Sequence, residues 1–223
     1  MGGEALSIIR EAVLNQGIIP VELQMEYRVV YSTLQGNMPV NDKIHGSILD
    51  FPVELRLEYT TMPNNYGSFP VNHRFMGMIG DTPVKGRMDY QMIYSTIAGN
   101  FPVNTGLEIL FEGNRYHLDM PIQYALGRTR GAGSGMGGGS GGPKAKRISD
   151  PKYKGGKMVE ADEMAGGDDG ISFEVHRPIC AGIQGAIADI IVDLHFSYTY
   201  YTNTSSGRNP INNLLSGCLR SAA

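Results

Sequence analysis

The sequence predicts an all-β fold, an antiparallel up-and-down barrel or a two-layer sandwich of about 8–10 strands, with a short N-terminal helix and a long Gly-rich insertion. Three observations predict it. One phrase recurs: E-Y-R-V-V-Y-S-T-L-Q-G-N-M-P-V-N over Glu26–Asn41, E-Y-T-T-M-P-N-N-Y-G-S-F-P-V-N over Glu58–Asn72 and D-Y-Q-M-I-Y-S-T-I-A-G-N-F-P-V-N over Asp89–Asn104. A looser fourth copy ends in N-P-I-N at Asn212. Around these copies apolar and polar residues alternate with a period of two, the mark of half-buried strands. Finally, one Gly-rich stretch carries no apolar period at all.

Four segments follow: a helical arm over residues 1–17, a first β part over 18–127, an insertion over 128–170 and a closing β part over 171–223. Glu4–Asn15 is the helix candidate, with Leu6, Ile9 and Val13 at helical spacing, Ile8 and Leu14 beside them, and Gly17 as the stop. Its expected job is to plug a barrel end or cover a sheet edge, with docking on a neighbouring copy as the alternative.

Val21–Ser32 then alternates strictly. Val21, Leu23, Met25, Tyr27, Val29 and Tyr31 share one face, and Glu22, Gln24, Glu26 and Arg28 share the other. Such a strand is about 40 Å long at about 3.3 Å per residue, long for a globular strand. Strands are expected over Lys43–Leu49, Val53–Thr61, His73–Ile79, Arg87–Ile97, Leu107–Phe111 and Arg115–Leu126. Short turns alternate with longer loops, over Pro63–Asn72 and Ala98–Asn104, that end in Pro-Val-Asn. The asparagines fall 31 and then 32 residues apart, one hairpin per repeat. After the insertion, Ile171–His176 and the regular Ile190–Tyr200 resume the sheet, and Ile183–Ala188 reads either way.

The insertion is expected to be a flexible linker followed by a basic half and an acidic half. Arg128–Lys157 holds eight basic residues against one acid, Asp150, in a chain whose net charge is −3. Lys144, Lys146, Arg147, Lys152, Lys154 and Lys157, then Glu160, Asp162 and Glu163, form an arm suited to pairing head-to-tail with copies of itself. Contact with nucleic-acid phosphates ranks below this, because Tyr153 is the one aromatic among the basic residues.

No pattern implies catalysis. Gly138-Gly139-Ser140-Gly141-Gly142 fits a nucleophile elbow, but lacks the strand before it and the helix after it. His45, His73, His117, His176 and His195 show no metal-binding spacing. Cys180 and Cys218 are the two cysteines, and Cys180 reads as a buried structural thiol. Catalytic, cofactor and metal residues are therefore expected to be none. Asn41, Asn72, Asn104 and Asn212 carry two readings, turn chemistry or amides offered from a loop rim to a sugar or partner.

Met1-Gly2-Gly3-Glu4 lacks the features of a secretory signal, and the apolar runs are too short for a membrane-spanning helix. The expected location is the cytoplasm or a particle. The expected function is a non-enzymatic, self-assembling, homo-oligomeric subunit of a tube, shell or virion-like particle. The alternatives are a β-barrel binding an apolar ligand or glycan, and an enzyme whose site only folding assembles.

Overall fold

The structure is a computed structural model that describes residues 4–32, 36–64, 67–95, 99–111, 113–130, 158–159, 172–203 and 207–222. Among the described residues one helix precedes thirteen strands: α1 (Glu4–Gln16), β1 (Ile18–Ser32), β2 (Gly36–Ile48), β3 (Phe51–Asn64), β4 (Gly67–Ile79), β5 (Thr82–Ser95), β6 (Gly99–Phe111), β7 (Asn114–Asp119), β8 (Ile122–Arg130), β9 (Met158–Val159), β10 (Ser172–Cys180), β11 (Gly182–Ile187), β12 (Ile190–Asn203) and β13 (Gly207–Ser221). The fold is an antiparallel barrel rather than a sandwich. Ten strands close it in the order β1-β2-β3-β4-β5-β6-β7-β11-β12-β13, and β13 pairs back onto β1.

The barrel has two tiers. In the lower tier every strand pairs with both neighbours, β7 and β11 through Gln184↔Asp119. In the upper tier the hairpin partners stay paired, and among the described residues the pairings added to them are β13 with β8 at Arg208↔Arg128 and β9 with β10 at Ser172↔Val159 and Phe173↔Met158. The ladders between hairpins stop early: β2–β3 begins at Lys43↔Arg56, β4–β5 at Arg74↔Arg87, and β1–β13 ends at Gln24↔Leu214. The ladders within hairpins run on to Ser32↔Gly36, Asn64↔Gly67, Ser95↔Gly99, Arg130↔Ser172 and Asn203↔Gly207. Five ribbons therefore rise from one closed cylinder, the fourth carrying β9 on the second edge of β10.

This arrangement corrects two expectations. The segments ending in Pro-Val-Asn are strand, not loop. Pro39, Pro70 and Pro102 pair with Val29, Thr61 and Met92 inside the ribbons. A proline is tolerated because that side of the ribbon has no ladder needing its N–H. The second correction concerns β1. Val21, Leu23 and Met25 are buried, but Tyr27, Val29 and Tyr31 on the same register are 40%, 41% and 74% exposed. Above the ladder between hairpins the ribbon leaves the cylinder, so the inward face loses its cover. The single strand expected over Arg115–Leu126 is also broken, at Met120-Pro121, into β7 and β8.

The lower core is built from the period-two faces, among them Leu23, Leu57, Phe75, Leu118, Leu194 and Phe196. The outer face carries ion pairs instead, including Arg115–Glu108 at 3.0 Å, Arg74–Glu58 at 3.3 Å and Arg220–Asp193 at 3.4 Å. That is the reverse of the apolar outer band of a membrane-spanning barrel. Among the described residues no helix is long and apolar enough to cross a membrane.

Helix α1 lies under the lower opening. Ala5, Ile9 and Val13 are buried against the barrel, while Ile8 and Leu14 are exposed, so the stripe is narrower than the sequence suggested. The Asp81 carboxylate, in the β4–β5 turn, accepts from the Ala5 N–H at 3.2 Å and so caps the helix start. Arg10 forks onto Asp189, in the β11–β12 turn, at 2.8 and 3.1 Å. Gly17 ends the helix with φ at 81°, its N–H donating to the Val13 carbonyl at 2.8 Å. The helix is thus tied to two turns at the base and seals that end.

Candidate functional site

The repeated phrase folds into a ring at the boundary of the tiers. Each hairpin slips register beside its asparagine: between Glu26 and Tyr27, Glu58 and Tyr59, Asp89 and Tyr90, and Ser197 and Tyr198. On the second strand one extra residue, Asp42, His73, Thr105 or Asn213, is left unpaired. Such a bulge bends the strand and re-aims its neighbours. Here it turns the asparagines toward the barrel axis.

Each side-chain amide then reaches the next hairpin. Asn104 Nδ2 donates to the Asn72 carbonyl at 2.7 Å, Asn72 Nδ2 to the Asn41 carbonyl at 2.8 Å, and Asn41 Nδ2 to the Asn212 carbonyl at 2.7 Å. Asn212 Nδ2 reaches the Cys180 carbonyl at a long 3.5 Å. The same amides also lie near the carbonyls at the bulges, Asn41 to Glu26 at 3.3 Å and Asn104 to Asp89 at 3.3 Å. Hydrogen bonds of this kind each contribute about 1 kcal/mol net, and more is lost if a buried carbonyl is left unpaired.

The fifth member of the ring is Cys180. Arg177-Pro178-Ile179-Cys180 occupies the place that Phe69-Pro70-Val71-Asn72 fills in the second hairpin, so the phrase occurs five times, not four. A thiol cannot reproduce the amide, and Cys180 Sγ instead points to the Gly182 carbonyl at 3.2 Å. Burial pushes this thiol up to about 12. Both cysteines are free thiols. The signal for the fifth copy was the Pro-Ile before Cys180, masked by the change of the final residue.

Above the ring, the residues that precede the prolines close a second layer. Met38, Phe69, Phe101, Arg177 and Asn209 are all buried. Phe69 and Phe101 meet edge to face at 5.0 Å, and the Arg177 guanidinium lies 5.1 Å over the Phe101 ring. Arg177 also donates to Asn209 Oδ1. Burial lowers the Arg177 guanidinium to about 10, which leaves it charged at neutral pH.

The ring separates two compartments. An axial pit of about 130 Å³ lies among the five tetrads. A cavity of about 230 Å³ lies below, walled by the lower core and floored by Leu6 and Ile9 of α1. Outside, the splay of the second and third ribbons leaves a cleft lined by Tyr59, His73, Arg74, Arg87 and Tyr90.

The four asparagines singled out from sequence are thus brought together, but not on a loop rim. Asn41, Asn72 and Asn212 are buried and Asn104 is half-buried, with their amide donors turned onto backbone carbonyls. Lys144, Lys146, Arg147, Lys152, Lys154, Lys157, Glu160, Asp162 and Glu163 lie outside the described residues. Of the histidines, His45, His117 and His195 sit beside Glu26, Asp119 and Asp193 on the outer face. Among the described residues no three His, Cys, Asp or Glu side chains are grouped to hold a metal ion. The chain matches no protein-family model, no curated protein and no solved structure.

Proposed function

We propose that the protein is a self-assembling structural subunit whose upper tier meets other copies of the same chain. The observation that carries this reading is the exposed apolar face of the ribbons. Tyr31, Tyr124, Val29 and Tyr27 are 74%, 47%, 41% and 40% exposed, and Met92 adds 36% on a third ribbon. Aromatic and aliphatic side chains gathered on strands with unladdered edges favour contact with another chain. A second copy supplies the same strands and the same tyrosines, so edges and faces match.

The charge order of the insertion supports the same partner. The insertion leaves the ribbon tier between β8 and β10, and its basic and acidic halves complement those of a neighbouring copy.

The test is light scattering after size exclusion, followed by negative-stain imaging, over a range of protein concentration. Rings, tubes or shells are expected. A Tyr27→Lys, Tyr31→Lys double variant should shift the population to monomer. A wild type that stays monomeric at every concentration overturns the proposal.

A further inference from the structure

We propose that the lower cavity is a binding site for one small, neutral, mainly apolar molecule of the size of a substituted benzene. This inference stands apart from assembly, since a monomer can hold such a ligand and a shell subunit can lack one.

The strand count creates the space. An eight-stranded barrel is just filled by its own side chains, and diameter grows with strand number. This barrel has ten strands and keeps about 230 Å³ open at its centre. An apolar cavity of about 150 Å³ stays dry and takes up benzene or xenon. The present one is larger and equally apolar in its walls, where Leu23, Ile44, Leu57, Phe75, Leu107 and Val192 face inward.

Both ends are shut. Helix α1 covers the base, and the asparagine ring forms the roof with its amides turned onto neighbouring carbonyls. One roof atom differs: Asn212 Oδ1 is buried with no hydrogen-bond partner among the described residues. A single ligand hydroxyl could donate to it. A charged group has no counter-ion among the wall residues, so desolvation excludes carboxylates and amines. The class is therefore a neutral ring or a short branched chain, with at most one hydroxyl.

Three methionines report on the site. Met25, Met88 and Met120 line the cavity, while Met76 and Met78 are exposed on the outer face at 40% and 41%. With methionine methyl groups labelled by carbon-13, toluene and p-cresol are titrated in separate arms, with benzoate as the charged control. Toluene, p-cresol or both should shift Met25, Met88 and Met120 saturably and leave Met76 and Met78 in place. Benzoate should shift none of them. Val192→Phe narrows the cavity and should weaken binding at least tenfold. If that variant does not fold, the wild-type titration still decides. No saturable change at the three inner methyls with either neutral probe, or equal shifts at the outer pair, overturns the proposal, as does benzoate binding as well as toluene.

Discussion

Asn72 shows how one side chain serves two hairpins. Its amide reaches the Asn41 carbonyl on the neighbouring ribbon and lies 3.5 Å from the Glu58 carbonyl within its own. Asn72→Ala removes the donor and leaves a buried carbonyl, so stability should fall by about 1–3 kcal/mol in urea unfolding. Asn72→Ala at no cost would mean that the ring does not hold the tiers together. Cys180 gives a pH-dependent prediction. Its folded value is raised from 9.0 to about 12, so above pH 9 the unfolded chain releases a proton that the native chain retains. Stability must therefore fall with rising pH across that window, by at most about 1.4 kcal/mol per pH unit from this group. The alkaline slope of Cys180→Ala, compared with wild type, isolates it. Below pH 9 a thiol reagent should modify the half-buried Cys218 first and Cys180 only on unfolding.

At the scale of elements, α1 and the ribbons behave differently. The helix is short, and a helix of this length has little stability by itself. It is held by three buried side chains, the Asp81 cap and the Arg10–Asp189 fork. The guanidinium holds the Asp189 carboxyl below its ordinary 3.8, so the contact persists at neutral pH and is lost as the pH falls through that lowered value. Arg10→Ala should speed amide deuterium exchange in residues 5–16 while β12 stays protected. Unchanged exchange would show that apolar packing alone holds the helix. The ribbons are braced sideways instead. Arg28 lies 4.9 Å over the Tyr59 ring of the next ribbon, and Tyr27 meets Tyr201 at 6.2 Å on the other side. These contacts join the first ribbon to both of its neighbours without a backbone ladder.

On the scale of the whole molecule, five hairpins of one design close a single barrel around one axis. The insertion interrupts only the fourth hairpin, whose strands are still paired at Arg130↔Ser172 where it leaves. Replacing residues 131–171 by a short turn should therefore keep the melting transition within a few degrees of wild type and remove ordered assemblies in the microscope. Loss of folding would place structural weight on the insertion, and unchanged assembly would remove it from the contacts proposed above.

The sequence alone determined the strand faces, the helix and the hairpin period, because these depend on residue spacing a few positions apart. Val21, Leu23 and Met25 read as inward and are inward. Ile190 to Phe196 repeats that agreement on β12. What only the tertiary structure decided is where the repeats meet. The same alternation continues through Tyr27, Val29 and Tyr31, but the ladder between hairpins ends below them and they lose their cover. The asparagines read as turn residues because Pro-Val-Asn has turn chemistry locally. They form a ring because bulges in separate hairpins, about 31 residues apart in the chain, aim them at one axis. Cys180 joined that ring unseen, since Pro178-Ile179 repeats the phrase but a thiol stands where the other copies end in asparagine.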